Sequence, residues 1–310
     1  MTRVIPWLAV YGFGAHIKST PKKLTILKNG ITEEYPLEEI KHFLIVGGHQ
    51  LNSTTISHLL KNGSYVSFFE PDGTPLGILQ PFGKKPEREI QKIQENTLRY
   101  RYATIIAQAT LKSKIFAIEN LQYQRGSDLL YEGELQILQT SLNNLENLVK
   151  LDEIRRLTDL GTNMYYEILS RDLPKDLEFK RRTVRPQGDP VNALLSFGYA
   201  MLFGNCMVSI IGAGLDPDIG FFHEGQGSLV KDLIGPFKAT MIDPTVCRIA
   251  KETLKSHDFE ITPTRCILSD SLIKLVIPEF RQLIDNERLD HQIHNLLRSI
   301  QKMEDFTIKY

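Results

Sequence analysis

The sequence predicts an α+β protein: a small β-rich domain over residues 1–83, followed by a larger all-α domain over residues 84–310. Three observations predict it. Short apolar runs, each bounded by glycine, proline or asparagine turns, fill the first quarter of the chain. The stretch PFGKKP at 81–86 ends them with two prolines, a glycine and two lysines. Beyond it, apolar residues recur every three to four positions, the period of a helix face.

The elements follow in order. Residues 24–28 alternate toward Asn29-Gly30, a pair suited to a tight hairpin because both positions tolerate positive φ. Residues 35–37, 42–46, 65–69 and 76–79 read as further strands. Of these, 42–46 stops at Gly47-Gly48 and 65–69 runs into the turn Pro71-Asp72-Gly73. One helix interrupts them at 53–61, with Ser53 or Thr54 as its cap and Gly63 as its stop. In the second domain, a stripe opening with Ile90, Ile93, Thr97 and Tyr100 predicts a helix that runs to Ile118. Leu135, Leu138, Leu142, Leu145 and Leu148 predict another within 129–151. Residues 191–211 form an apolar helix, and Asp189 stands ready to cap it ahead of Pro190. Gly198 and Gly204 would let another helix approach it closely. Further helices are expected at 228–237, 245–254, 269–276 and 277–303.

Composition narrows the class. At 42% hydrophobic and 24% charged residues, the chain is neither disordered nor collagen-like. Lys plus Arg and Asp plus Glu both total 37, so net charge points to no partner. Local charge says more: between Lys84 and Arg125 stand nine basic residues against four acidic ones. Cys206, Cys247 and Cys266 are odd in number and lack CxxC spacing, which excludes a disulfide framework and a zinc signature. The N-terminal apolar run is too short for a signal peptide, and no stretch approaches the ~18 apolar residues of a bilayer span. A cytoplasmic protein with no membrane partner is expected.

No P-loop, HExxH or GxSxG motif occurs. Chemistry-bearing residues concentrate between 181 and 243. His223 follows an apolar segment, and Asp232 lies nine residues on, inside the helix at 228–237. An imidazole and a carboxylate brought together suit a divalent cation. The same two residue types also serve as satisfied structural groups. Lys180, Arg181, Arg182 and Arg185 precede Pro186, where guanidinium groups suit phosphate oxygens. A solvated basic loop is the alternative. Tyr165 and Tyr166 suit base stacking or a half-buried core position.

In their order, these motifs resemble the signature region of the CRISPR adaptation integrase family. The resemblance rests on Arg181-Arg182, on Asp189-Pro190-Val191-Asn192 with its apolar helix, and on Gly214-Leu215-Asp216-Pro217. Gly220-Phe221-Phe222-His223, Ser228-Leu229 and Asp232-Leu233 continue it. Tyr11-Gly12, Pro36-Leu37, the helix at 53–61 and Asp72-Gly73 extend it over most of the chain.

The resemblance implies a homodimer that works with a small ferredoxin-like partner. It also implies capture of double-stranded or branched DNA and metal-dependent joining of DNA ends with Mg²⁺ or Mn²⁺. The family's metal site takes a glutamate, a histidine and an acid one turn after the Asp of the Asp-Leu helix. His223 and Asp232 carry over as catalytic and metal residues. The third position is Gly235. The glutamate's place falls at Asp159 by the tyrosine register and at Leu160 by the glycine register. Asp159, His223 and Asp232 are thus the metal candidates, with Asp218 and Glu224 as substitutes. Lys84, Lys85, Arg181, Arg182, Arg185, Lys231 and Lys238 are the DNA-contact candidates.

Two functions follow. One is a metal-dependent DNA endonuclease or integrase that works with an eroded site. The other is a non-catalytic DNA-binding or assembly subunit that works with a partner or an active paralogue.

Overall fold

The computed structural model describes residues 7–83, 88–125, 129–184 and 186–310. Six strands form one mixed sheet: β1 (Leu8–Ser19), β2 (Lys23–Lys28), β3 (Ile31–Pro36), β4 (His42–Leu51), β5 (Tyr65–Phe69) and β6 (Pro75–Leu79). Their order is β3-β2-β1-β4-β5-β6. β4 runs parallel to both β1 and β5, and the other neighbours are antiparallel. Helix α1 (Ser53–Lys61) is the crossover that a parallel β4–β5 pair requires.

The continuous apolar run in β4 is explained by burial on both faces. Phe43 and Ile45 join Val10, Ile17, Leu24, Ile26 and Val66 under Leu59 of α1. Leu44 and Val46 face the other way, into the large core shared with the helices. The sheet is therefore a middle layer. Its hairpin turns at Asn29-Gly30, with φ of 51° and 78°. The cap of α1 differs from expectation. Asn52 holds it, its side chain accepting the Thr55 N–H at 2.8 Å, and Gly63 ends the helix at φ 85°.

The second body contains α2 (Glu89–Glu95), α3 (Arg99–Arg125), α4 (Glu134–Asn144), α5 (Leu151–Ser170), α6 (Pro190–Gly212) and α7 (Ser228–Phe237). It continues with α8 (Asp243–Glu252), α9 (Asp270–Leu283) and α10 (Asn286–Lys302). A hairpin of β7 (Phe259–Ile261) and β8 (Cys266–Leu268) corrects the all-α expectation. The stripe from Ile90 is two helices, not one. Asn96 Nδ2 and Thr97 Oγ1 bond back to the carbonyls of Lys92 and Ile93, each at 2.7 Å, and the helix stops there. Leu135, Leu138 and Leu142 belong to α4, and Leu145 opens a short 3₁₀ turn that Leu148 follows. At the other end, α9 runs past Pro278, and Asp285 caps α10 through the Arg288 N–H.

Helix α6 is the axis of this body. Asp189 accepts the Asn192 N–H at 2.8 Å, and Pro190 opens the helix as expected. Against the sequence expectation, α6 is long and apolar enough to cross a membrane. Here 61% of its apolar window is buried inside the protein, so its apolar surface serves the core. Gly204 lets α6 meet the sheet rather than another helix. A Cβ at Gly204 would run into the Asp72 carbonyl, and one at Gly73 would run into Gly204. The β5–β6 turn therefore rests directly on the α6 backbone. Gly198 admits the Ile242 and Phe280 side chains.

Candidate functional site

Asp159, Arg182, His223, Lys231, Asp232 and Lys238 all line one cleft of about 780 Å³. Its walls are α3, α5, α6 and α7, with the Asp72–Gly73 turn at its rim. Arg181 is exposed and does not line it. Lys84, Lys85 and Arg185 lie outside the described residues.

One corner is built around Asp232, which is fully buried. Its oxygens accept the backbone N–H groups of Phe221 at 2.6 Å, Phe222 at 2.9 Å and His223 at 2.8 Å. They also meet His223 Nδ1 at 2.7 Å. An ionised carboxylate offers about four acceptor sites, and all are used. Asp232 is one of the metal candidates. Here it fastens the Phe221–His223 bend to α7 and orients the imidazole, leaving Nε2 as the ring nitrogen available to a ligand. Spacing alone gave no hint of this, because the donors are main-chain groups.

The remaining ligand positions are closed or scattered. A Cβ at Gly235 would lie 2.8 Å from Thr110 Oγ1, so α3 packs where a side chain would begin. Thr158 is buried and bonded to the Ile154 carbonyl at 2.7 Å, while Asp159 is exposed on α5. Neither substitute acid lines the cleft. Glu224 is held by Arg155 at 2.9 Å and Arg99 at 3.4 Å, and Arg155 in particular keeps its carboxyl below the usual range. Asp218 accepts the Gly227 N–H at 2.7 Å. Among the described residues, no three His, Cys, Asp or Glu side chains converge. A divalent ion such as Mg²⁺ favours several oxygen ligands in near-ideal geometry. One imidazole nitrogen and one exposed carboxyl do not fit it.

The opposite wall is cationic. Lys114 is 4% exposed, and its ammonium donates to Thr162 Oγ1 at 2.6 Å. Burial, and then the charge of Lys238, pull its pKa down to about 7, against the attraction of Asp243 and Asp159. Lys238 opens a π-helical turn, Lys238–Ile242, that joins α7 to α8. Such turns occur often at functional sites. Burial lowers the Lys238 pKa to about 8. Its ammonium lies 4.9 Å from the Tyr199 ring centroid, and the Arg182 guanidinium lies 5.3 Å from the same ring.

Behind them, the carboxyl of Asp243 accepts from Tyr165 at 2.8 Å and from Tyr199. Burial raises its pKa to about 6, although both hydroxyls favour the charged form. Lys114 escaped the sequence reading as a site residue. The available signal was its place on a face of α3 made of Ala103, Ala107 and Thr110, all buried.

A six-stranded mixed sheet packed on a helical body, with a cleft at their junction, defines a two-domain α+β class that solved structures share. A casposase bound to integration product matches with a TM-score of 0.81 at 20% identity, covering 97% of both chains. The chain in a partial Cas6-RT-Cas1–Cas2 complex matches with a TM-score of 0.81 at 19% identity, covering 99% of both chains. In sequence, residues 8–282 match the family described as CRISPR associated protein Cas1. The putative CRISPR-associated endonuclease Cas1 2 of Methanospirillum hungatei JF-1 is 40% identical over 298 residues, 96% of this chain and 98% of that protein. The chain belongs to the Cas1 family.

Proposed function

We propose that this chain is the DNA-holding subunit of a spacer-acquisition complex and that strand joining is supplied by an active paralogue. The observation that supports this reading is the cleft itself. Its acid-bearing corner is saturated or closed, and its opposite wall presents Lys114, Lys238 and Arg182. Cationic side chains in a cleft are what a phosphate backbone binds. Family membership supports the setting, since a relative in the fold comparison was solved on an integration product and another with Cas2. On this reading the chain acts in the cytoplasm as a homodimer, with a small ferredoxin-like partner, on double-stranded or branched DNA. Its three buried free thiols suit a reducing compartment.

A second reading is favoured by one observation: His223 Nε2 and Asp159 both belong to the cleft. They would be the residues left to hold Mg²⁺ or Mn²⁺ in a working endonuclease or integrase. A strand-transfer and nicking assay on branched DNA with Mn²⁺, wild type beside His223→Ala, separates the two. The expected result is salt-sensitive DNA binding with no metal-dependent turnover in either protein. Turnover in the wild type that disappears in His223→Ala would overturn the DNA-holding reading.

A further inference from the structure

We propose that Lys114, Lys238 and Arg182 seat a nucleic-acid phosphate in this cleft directly, with no divalent cation between protein and phosphate. The inference rests on the DNA-holding reading and says how the holding is done.

The three groups come from three separate elements: α3, the π-helical turn after α7, and the segment before α6. Their partners are all neutral. Lys114 has the Thr162 hydroxyl, and its ammonium lies 5.9 and 6.0 Å from the ring centroids of Tyr165 and Tyr166. Lys238 has the face of Tyr199. Arg182 donates to Asn192 Oδ1 at 2.8 Å and to Ser196 Oγ at 2.9 Å. Among the described residues, none of the three forms a salt bridge to a carboxylate. Asp243, the buried acid that attracts both lysines, is engaged by two tyrosine hydroxyls and lies outside the lining of this cleft.

A buried cation with no carboxylate in contact is costly, and an aromatic face and the attraction of Asp243 and Asp159 return only part of that cost. A fold that keeps one buried lysine, one half-buried lysine and one half-buried arginine on one wall, none of them in a salt bridge, is arranged for an anion to complete it. A tetrahedral anion is the fitting shape. Arg182 offers a planar fork and the lysines offer point charges from other directions. A dication placed among them would be repelled by all three. The role that a metal plays toward a phosphate oxygen is thus taken here by side-chain ammonium and guanidinium groups.

The test is calorimetric titration of the intact chain in EDTA, with inorganic phosphate and with a short duplex DNA as separate probes. Wild type should bind both, and replacing EDTA by Mg²⁺ should change DNA affinity by less than about twofold. Lys114→Met should weaken both by about tenfold or more, the loss expected from one strong charged contact. Its melting temperature should be unchanged or higher, because the variant removes a buried cation that has no carboxylate in contact. Lys112→Met, on the exposed side of the same helix, should bind as wild type does. If Lys114→Met fails to fold, Lys238→Met carries the same expectation.

DNA binding that needs Mg²⁺, or that ignores both lysine substitutions, overturns the inference and leaves the DNA-holding reading standing. Phosphate binding without any DNA binding overturns both, and marks a site for the free anion.

Discussion

Two walls of one cleft have been built by opposite rules. Around Asp232 every acceptor has its donor, three of them main-chain N–H groups. Around Lys114 and Lys238, the direct contacts are a hydroxyl and aromatic faces, and the attraction of Asp243 comes from outside the cleft lining. The first wall is complete without a ligand and the second is not. Buried charges are ordinarily paired, so cations with no carboxylate in contact mark the place to look for what binds.

The largest expected effect tests whether the first wall is architectural. Asp232→Ala strands three main-chain donors and the imidazole, and should cost about 3–5 kcal/mol of stability in urea unfolding. A loss under ~1 kcal/mol would mean the bend does not depend on that carboxyl.

Next comes an acid placed at residue 235, where the family resemblance implies one. Gly235→Asp forces a Cβ against Thr110 Oγ1 and should cost about 1–3 kcal/mol as overpacking. The double variant with Thr110→Ala should recover part of that. Calorimetry with Mn²⁺ shows whether the recovered acid gathers a metal with His223 and Asp159.

A smaller effect reads the second wall through pH. Lys114 and Lys238 have pKa values lowered to about 7 and about 8, below the ~10.4 of an unfolded lysine. Between those values the unfolded chain binds more protons than the native one. Stability from these groups therefore rises with pH, by at most about 1.4 kcal/mol per unit for each lysine. Lys114 is faced by Lys238 from the π-helical turn, Asp243 from α8 and Asp159 from α5. Between pH 7 and 8.5 the wild type should gain more stability than Lys114→Met does. Equal gains would show that the ammonium is not held at a cost.

The smallest effect is His223→Ala, whose side chain is 44% exposed. Stability should change by less than about 1 kcal/mol. A larger loss would make the imidazole part of the architecture too.

Much of the fold was legible. Asn29-Gly30, the run at 42–46, Asp189-Pro190 and the helix at 228–237 each combine a local conformational preference with the right apolar period. α5 was not. Its buried stripe passes through Thr158 and Gly161, which carry no apolar signal. β1 was not assigned as a strand from the sequence, because Gly12, Gly14 and the bulge near Phe13 interrupt its alternation. At the site, Gly235 stands where the family resemblance implies an acid, and its identity is plain in the sequence. That Thr110 occupies the space depends on how α3 crosses α7, and no local pattern encodes that. Lys114 was hidden for a different reason: lysine on a helix is normally read as solvent-facing.

The glycine crossing at the cleft rim has a mechanical consequence. Where two layers meet through side chains, a small displacement is absorbed by a change of rotamer. Between the Asp72–Gly73 turn and Gly204 there is no side chain to yield. Both glycines also line the cleft. A push or pull on the sheet is therefore transmitted to the cleft wall as backbone movement, with the glycine contact as its fulcrum.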